Sequence, residues 1–342
     1  MRGYKALKQD MSSDYGDMTY ELGKTYTITG KLKICSNGFH FCQRLEDIEG
    51  YYPIAESRIF EIEASGEIIN GAYKSCAETI TLVRELSKEE IHDYFEQNQD
   101  RILDENCFCK LAMAEQGVAL DVLIDDEDIA VRTAVARQGY DLDVLINDED
   151  TDVRATVAEQ NYGLDKLIDD KDPAVHTAVA RQGYGLDKLI SDESWRVRAT
   201  VAKQGYGLDR LIDDEDPDVR TAVVEQGYGL DKLISDENWS VRAAVAKQNY
   251  GLDKLINDKN WSVRAAVAEQ GYGLDRLIDD KDPGVRIAVA RQGYGLDKLI
   301  DDKRWCVRIT VAEQGYGLDR LIEDKNPYVR AAARKKLEEL SH

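Results

Sequence analysis

No stretch of this 342-residue chain approaches the roughly 20 uninterrupted apolar residues that a membrane-spanning helix needs. The opening MRGYKALKQDMSSDYGD lacks the apolar core of a signal peptide, so a cytoplasmic protein is expected. Positive charge is short as well. Lys and Arg total 45 against 66 Asp and Glu, a net charge of -21, and phosphate contacts need clustered cations, so nonspecific binding to a polyanion is not expected. Solubility and partners with basic or mixed-charge surfaces fit that balance better. Cysteine is sparse and irregular: Cys35, Cys42, Cys76, Cys107, Cys109 and Cys306 include no C-x₂-C pair, and the apolar content is ample, so a disulfide framework is not expected.

What the chain has in quantity is repetition. NWSVRAAVAKQNYGLDKLI, from Asn238, returns as NWSVRAAVAEQGYGLDRLI, from Asn260, with three changes. Gln recurs at 116, 138, 160, 182, 204, 226, 248, 270, 292 and 314, ten copies at a step of 22 residues, and an Arg column keeps the same step with Lys110 and His176 standing in. A period between 20 and 50 residues marks a solenoid whose units contact mainly their neighbours.

In the unit DPDVRTAVVEQGYGLDKLISDE, Asp216 suits an N-cap, Pro217 the first helical position and Gly227 a left-handed stop, which predicts a helix from Pro217 to Gln226. Val219, Ala222, Val223 and Gln226 fall on one stripe of it, and Leu230, Leu233 and Ile234 form a second apolar cluster on a short helical turn. Such a helix is shorter than the roughly 12 to 15 residues at which isolated helices become marginal, so stacking is compulsory. The atypical first unit, with Val118 in place of Tyr, and the last, NPYVRAAARKKLEELSH, read as capping units.

DPDVRTAVVEQ and DDKDPAVHTAVARQ, each followed by LDKLI, resemble the leucine-rich repeat variant and short HEAT-like families, whose units begin D-P-x-V-R-x-A-V-A. The resemblance covers about two thirds of the chain, with a slightly shorter unit and Q-G-Y-G where the variant repeat has N-P-x-T. It implies a right-handed superhelix of helix pairs that binds macromolecules, and no catalysis. It also implies an Asp and Arg ladder between neighbours, here Asp214, Asp236 and Asp258 with Arg220, Arg242 and Arg264. Gln226 and Gln248 are expected to bond backbone of the adjacent turn.

Where copies differ, the position is free to answer to a partner. Positions three, six and ten of the unit share one side of an ideal helix, and position ten reads Glu115, Arg137, Glu159, Arg181, Lys203, Glu225, Lys247, Glu269, Arg291 and Glu313. A nucleic-acid groove favours one sign throughout, whereas this alternation suits a protein partner, with a solvated face as the plain reading. The Tyr column from Tyr140 to Tyr316 reads as a packed ladder before a ring-stacking platform. Trp239 and Trp261, like Trp195 and Trp305, take the Pro position and read as staples over the next unit or as an exposed aromatic anchor. The DDED, DDKD and SDEN turns stack an acidic edge that lacks the ordered spacing of a calcium loop; N-caps are the plain reading, and mimicry of a phosphate backbone is the alternative.

Residues 1–86 lack the period. RGYKAL, KTYTITG, SRIFEIEA and ETITLVREL read as strands, LEDIEGYY as a short helix, and Ser87 with Glu90 as a capping box opening a helix through about Gln97. KICSNGFHFCQ gathers Cys35, His40 and Cys42, with Cys76 able to complete a zinc site on paper, yet Phe39 and Phe41 flank His40 as in a strand, and a satisfied half-buried histidine is the stronger reading. No base and orienting partner can be assigned to make either cysteine a nucleophile. The segment is similar to a small uncharacterised domain found ahead of repeat arrays in phage and bacterial proteins, with Y-K-A and G-F-H-F-C motifs. That likeness implies a phage or bacterial source and no function; if the source is a phage, a host defence or nucleic-acid enzyme is the expected partner. Arg2 before the first strand permits a likeness to ADP-ribosyltransferase folds, although the glutamate motif is not recognisable.

The expectation is therefore a mainly α protein: a right-handed α-solenoid of about ten 22-residue repeats over 106–342, a helical connector over 87–105 and a small α+β domain over 1–86. No cofactor, metal or catalytic residue is expected. A non-catalytic protein-binding adaptor or inhibitor leads, with the small domain as a second contact or an oligomerising head; the alternatives are an acidic DNA mimic and an enzyme whose N-terminal domain acts on substrate that the repeats position.

Overall fold

The computed structural model describes residues 1–13, 18–34 and 36–340. It divides into two compact units, 1–182 and 183–342. The first begins with a five-stranded antiparallel sheet: β1 (Arg2–Leu7), β2 (Thr25–Thr27), β3 (Phe39–Phe41), β4 (Arg58–Asn70) and β5 (Ser75–Glu85). Strand order is β1-β4-β5-β2, with β3 pairing β5. Alternation explains the pairing. Phe60, Ile62 and Ala64 of β4 and Ile80 and Leu82 of β5 turn one apolar face toward Leu7, Phe39 and Phe41. LEDIEGYY forms a single 3₁₀ turn, Glu46–Ile48, instead of a regular helix.

The Ser87 and Glu90 capping box opens α1, which runs Lys88–Ile102, one turn beyond the expected end at Gln97. The extra turn is held from both sides. Ile102 is fully buried, while Arg101 donates to the buried Glu46 carboxylate, which also accepts from Tyr94 Oη at 2.7 Å. Arg44 adds bonds to Asp47 and Glu105, so the sheet domain, α1 and the start of the repeats are clamped by one ionic network.

The rest is repeat. Twenty-two α-helices are described in all, and those after α1 are ten long and short pairs followed by one C-terminal helix, Pro327–Leu340. The unit from Asp216 shows why. Asp216 accepts from the Asp218 N–H at 2.8 Å, Pro217 fills the first helical position, and the helix ends at Glu225 with Gln226 as C-cap. Gly229, at φ +62°, starts the short helix Leu230–Leu233, and a Cβ there would meet Ile212 Cδ1 of the preceding repeat at 2.1 Å. Glycine thus lets that isoleucine close over the turn.

Val219, Ala222, Val223 and Val224 are buried on the long helix, Leu233 and Ile234 on the short one. Each large aliphatic so buried contributes about 1.5 to 3 kcal/mol, and the neighbouring repeat supplies much of the cover. Val118 of the first repeat is buried where later copies expose Tyr. There α1 takes the place of a preceding repeat, and His92 Nδ1 lies 2.9 Å from the Gln116 carbonyl. No described helix is long and apolar enough to cross a membrane.

Candidate functional site

The Arg column is interior. Arg220 donates from Nε and Nη2 to Asp236 at 2.7 and 2.9 Å, and from Nη1 to the Asp214 carbonyl at 2.7 Å. Arg242 treats Asp258 and the Asp236 carbonyl in the same way, and Arg264 does so with Asp280 and the Asp258 carbonyl. The side-chain partner is therefore the Asp sixteen residues ahead. The Asp six residues behind offers its backbone oxygen, and its carboxylate serves the previous Arg, as Asp214 serves Arg198. Burial works against the charge of Asp258, but Arg242 and the Asn260 N–H outweigh it and hold the carboxyl below its ordinary value.

This geometry also uses up much of the acidic edge. N-cap aspartates such as Asp216 accept backbone N–H groups, and aspartates one residue before the ladder pair with the next repeat's cations: Lys232 with Asp213 at 2.5 Å, Lys298 with Asp279 at 2.6 Å, and Arg320 with Asp301. No group of three or more His, Cys, Asp or Glu able to hold a metal occurs among the described residues.

The open surface lies at the C-terminal ends of the long helices. Glu225, Gln226, Gly227 and Tyr228 are all exposed, and so are the corresponding residues from Arg137, Glu159, Arg181, Lys203, Lys247, Glu269 and Arg291 onward. Tyr206, Tyr228, Tyr272, Tyr294 and Tyr316 are each 42% exposed, a wetter column than the packed ladder the sequence suggested. Two expectations need correction. Gln226 and Gln248 do not lie on the apolar stripe; each ends its helix as an exposed C-cap, because the helix stops one residue earlier than predicted. Backbone bonding to the adjacent repeat is made by other copies, with Gln138 reaching the Glu115 carbonyl at 2.9 Å and Gln292 the Glu269 carbonyl at 3.1 Å. Position six is not part of an open face either: Thr133, Ala199, Ala243 and Ala265 are buried, and position ten alone of the three is exposed in every copy but the first.

Trp239 and Trp261 are 47% and 48% exposed. The Trp261 ring lies over Gly284 at the start of the next long helix, where a Cβ would come within 2.5 Å of it, and Trp305 packs on Tyr328 with ring centroids 5.6 Å apart. One ring face thus covers the next repeat while much of the indole stays wet.

In the sheet domain, His40 pairs with Cys76 across β3 and β5. It is half-buried, and burial, with Lys74 and Lys5 nearby, pushes its pKa down. Cys42 is buried and its thiol is pushed up to about 12, chiefly by burial, which leaves it a poor nucleophile. Cys35 lies outside the described residues. Arg2 is exposed, with Glu63 3.6 Å away, and does not line the domain's cavity. That cavity, of about 290 Å³, is bounded by Tyr4, Lys5, Tyr20, His40, Tyr51 and Lys74 among others. In the sequence Lys5 figures only within the Y-K-A motif, with no role of its own. The only signal was a lysine inside the apolar alternation of RGYKAL.

A model of a family described as a domain of unknown function, DUF7666, matches residues 1–93. Among solved structures, the chain is similar to a designed armadillo repeat protein in complex with the peptide (KR)4, at 15% identity over 74% of this chain and 93% of that one, with a TM-score of 0.12. No curated protein matches it.

Proposed function

We propose that the chain is a non-catalytic binding scaffold whose repeats, of the leucine-rich repeat variant or short HEAT-like kind, grip a protein partner with a basic or mixed-charge surface, as an adaptor or inhibitor does. The observation that carries this reading is the recurrent exposed strip of a charged residue, Gln, Gly or Asn, and Tyr at the ends of the long helices in the second to ninth repeats. It presents a Tyr, an aromatic body with a polar tip of the kind enriched at protein interfaces, beside a variable charge. It also lies at helix C-termini, where partial negative charge favours cationic groups. Alternation of sign at position ten supplies discrimination between partners. The DNA-mimic alternative is weakened by the engagement of ladder and N-cap carboxylates within the array.

The test is capture of partners by the intact chain from cells of its own source, followed by calorimetry with the partner so identified. Reversal of charge at Arg181, Lys203 and Lys247, or replacement of Tyr206, Tyr228 and Tyr250 by Ala, should weaken binding at least tenfold with the melting temperature little changed. Binding that survives both sets while His40→Ala and Cys42→Ala abolish it, or turnover of the partner by the chain, would overturn the reading.

A further inference from the structure

In a chain with 66 Asp and Glu, the cavity of the sheet domain has no carboxylate among its described lining residues, but two lysines, a histidine and four tyrosines. Lys5 is among the lining residues. This residue is more than nine-tenths buried, donates to the His40 carbonyl at 3.0 Å, and sits 5.1 Å from the centre of the Tyr20 ring. An ammonium carries three donors, and one carbonyl and one ring face leave it under-satisfied. No described carboxylate pairs with it. Burial pushes its pKa down to about 8, so at neutral pH it remains mostly charged in a place where an uncompensated charge is costly. At the rim, Lys74 Nζ lies 4.4 Å from the centre of the Tyr51 ring.

We infer that this cavity binds a small anion carried on a flat ring, its carboxylate or phosphate against Lys5 and its ring among the tyrosines. The volume is near the roughly 300 Å³ lower bound of ordinary ligand pockets, which suits one ring and its anionic head. The walls fit the ring: Tyr20, Tyr51 and Tyr52 offer aromatic surface. An anion at Lys5 supplies the counter-charge that no described carboxylate provides, and Lys74 adds a second cation. The site is independent of the repeat surface proposed above.

The experiment is calorimetry and thermal shift on the full chain with three probes: 4-hydroxybenzoate, uridine 5′-phosphate and inorganic phosphate. At least one ring-bearing anion should bind with submillimolar Kd, and the two ring-bearing probes distinguish a carboxylate from a phosphate head. Lys5→Met should reduce that affinity at least tenfold while leaving the unliganded chain as stable or more so, since the buried charge is gone. Lys74→Met should cost severalfold and carries the test if Lys5→Met does not fold. Charge reversal at Lys303, an exposed residue far along the sequence, should change nothing. No binding by either ring-bearing probe at 5 mM (about the weakest affinity worth detecting), equal binding by inorganic phosphate, or affinity unchanged in both lysine variants would overturn the assignment.

Discussion

Arg220 and Asp236, sixteen residues apart, form a buried two-point ion pair that fastens one long helix to the turn leading into the next. The same guanidinium reaches back to the Asp214 carbonyl, so each Arg spans two successive turns. Removal of one partner leaves the other charge buried. Arg220→Ala should therefore destabilise unit 183–342 by about 3 to 5 kcal/mol, read as a shift in the urea midpoint, and Arg220→Lys should recover only part because a point charge cannot make the fork. A loss under 1 kcal/mol would mean that Asp236 rehydrates freely.

Glu49 shows the opposite balance. Burial dominates and, with Glu115 and Glu56 adding repulsion, pushes its carboxyl up to about 7, although it accepts the Ile54 N–H at 2.8 Å. A raised folded pKa contributes stability that is fully present below the unfolded value near 4.5 and is lost as pH rises through 7. Glu49→Gln keeps an acceptor for Ile54 without the charge. It should be nearly neutral at pH 4.5 and stabilising by about 1 to 2 kcal/mol at pH 8, after allowance for partial exposure. Equal effects at the two pH values, by thermal denaturation, would contradict the assignment.

Gly229 and Ile212 make a third case. Gly229→Ala places a Cβ in the left-handed region and against Ile212 Cδ1, a change expected to cost about 1 to 3 kcal/mol. Ile212→Val removes the offending carbon, so the double variant should lose less than the sum of the singles. Asp141 at φ +40° and Ala119 at φ +54° occupy the equivalent place in the first two repeats, which keeps the expected cost moderate. Strict additivity in a double-mutant cycle would show that the contact does not matter.

The sequence carried the repeats well, because N-cap Asp, Pro217 and the apolar stripe all point to one local structure. It misplaced Gln226 since a one-residue difference in helix end moves a side chain from the stripe to the solvent rim. Position six fared similarly: an ideal helical wheel exposes it, but the neighbouring helix covers it, and neighbours are invisible to periodicity. The ladder between neighbours is legible as two columns, but which carboxylate Arg220 grips, Asp236 in the next turn, is fixed only by the fold. The cavity was illegible for the same reason. Lys5, Tyr20, Tyr51 and Lys74 are scattered along the chain, and only pairing of β1 with β4, β4 with β5 and β5 with β3 gathers them.

The central claim is that 22-residue modules hold each other up. Deletion of residues 216–259, two whole modules, tests it most directly by circular dichroism on heating. A shortened chain that keeps its helicity per remaining repeat and melts cooperatively at a lower temperature is the predicted result. Collapse of the whole helical signal, or a stably folded isolated peptide of residues 216–237, would contradict the account.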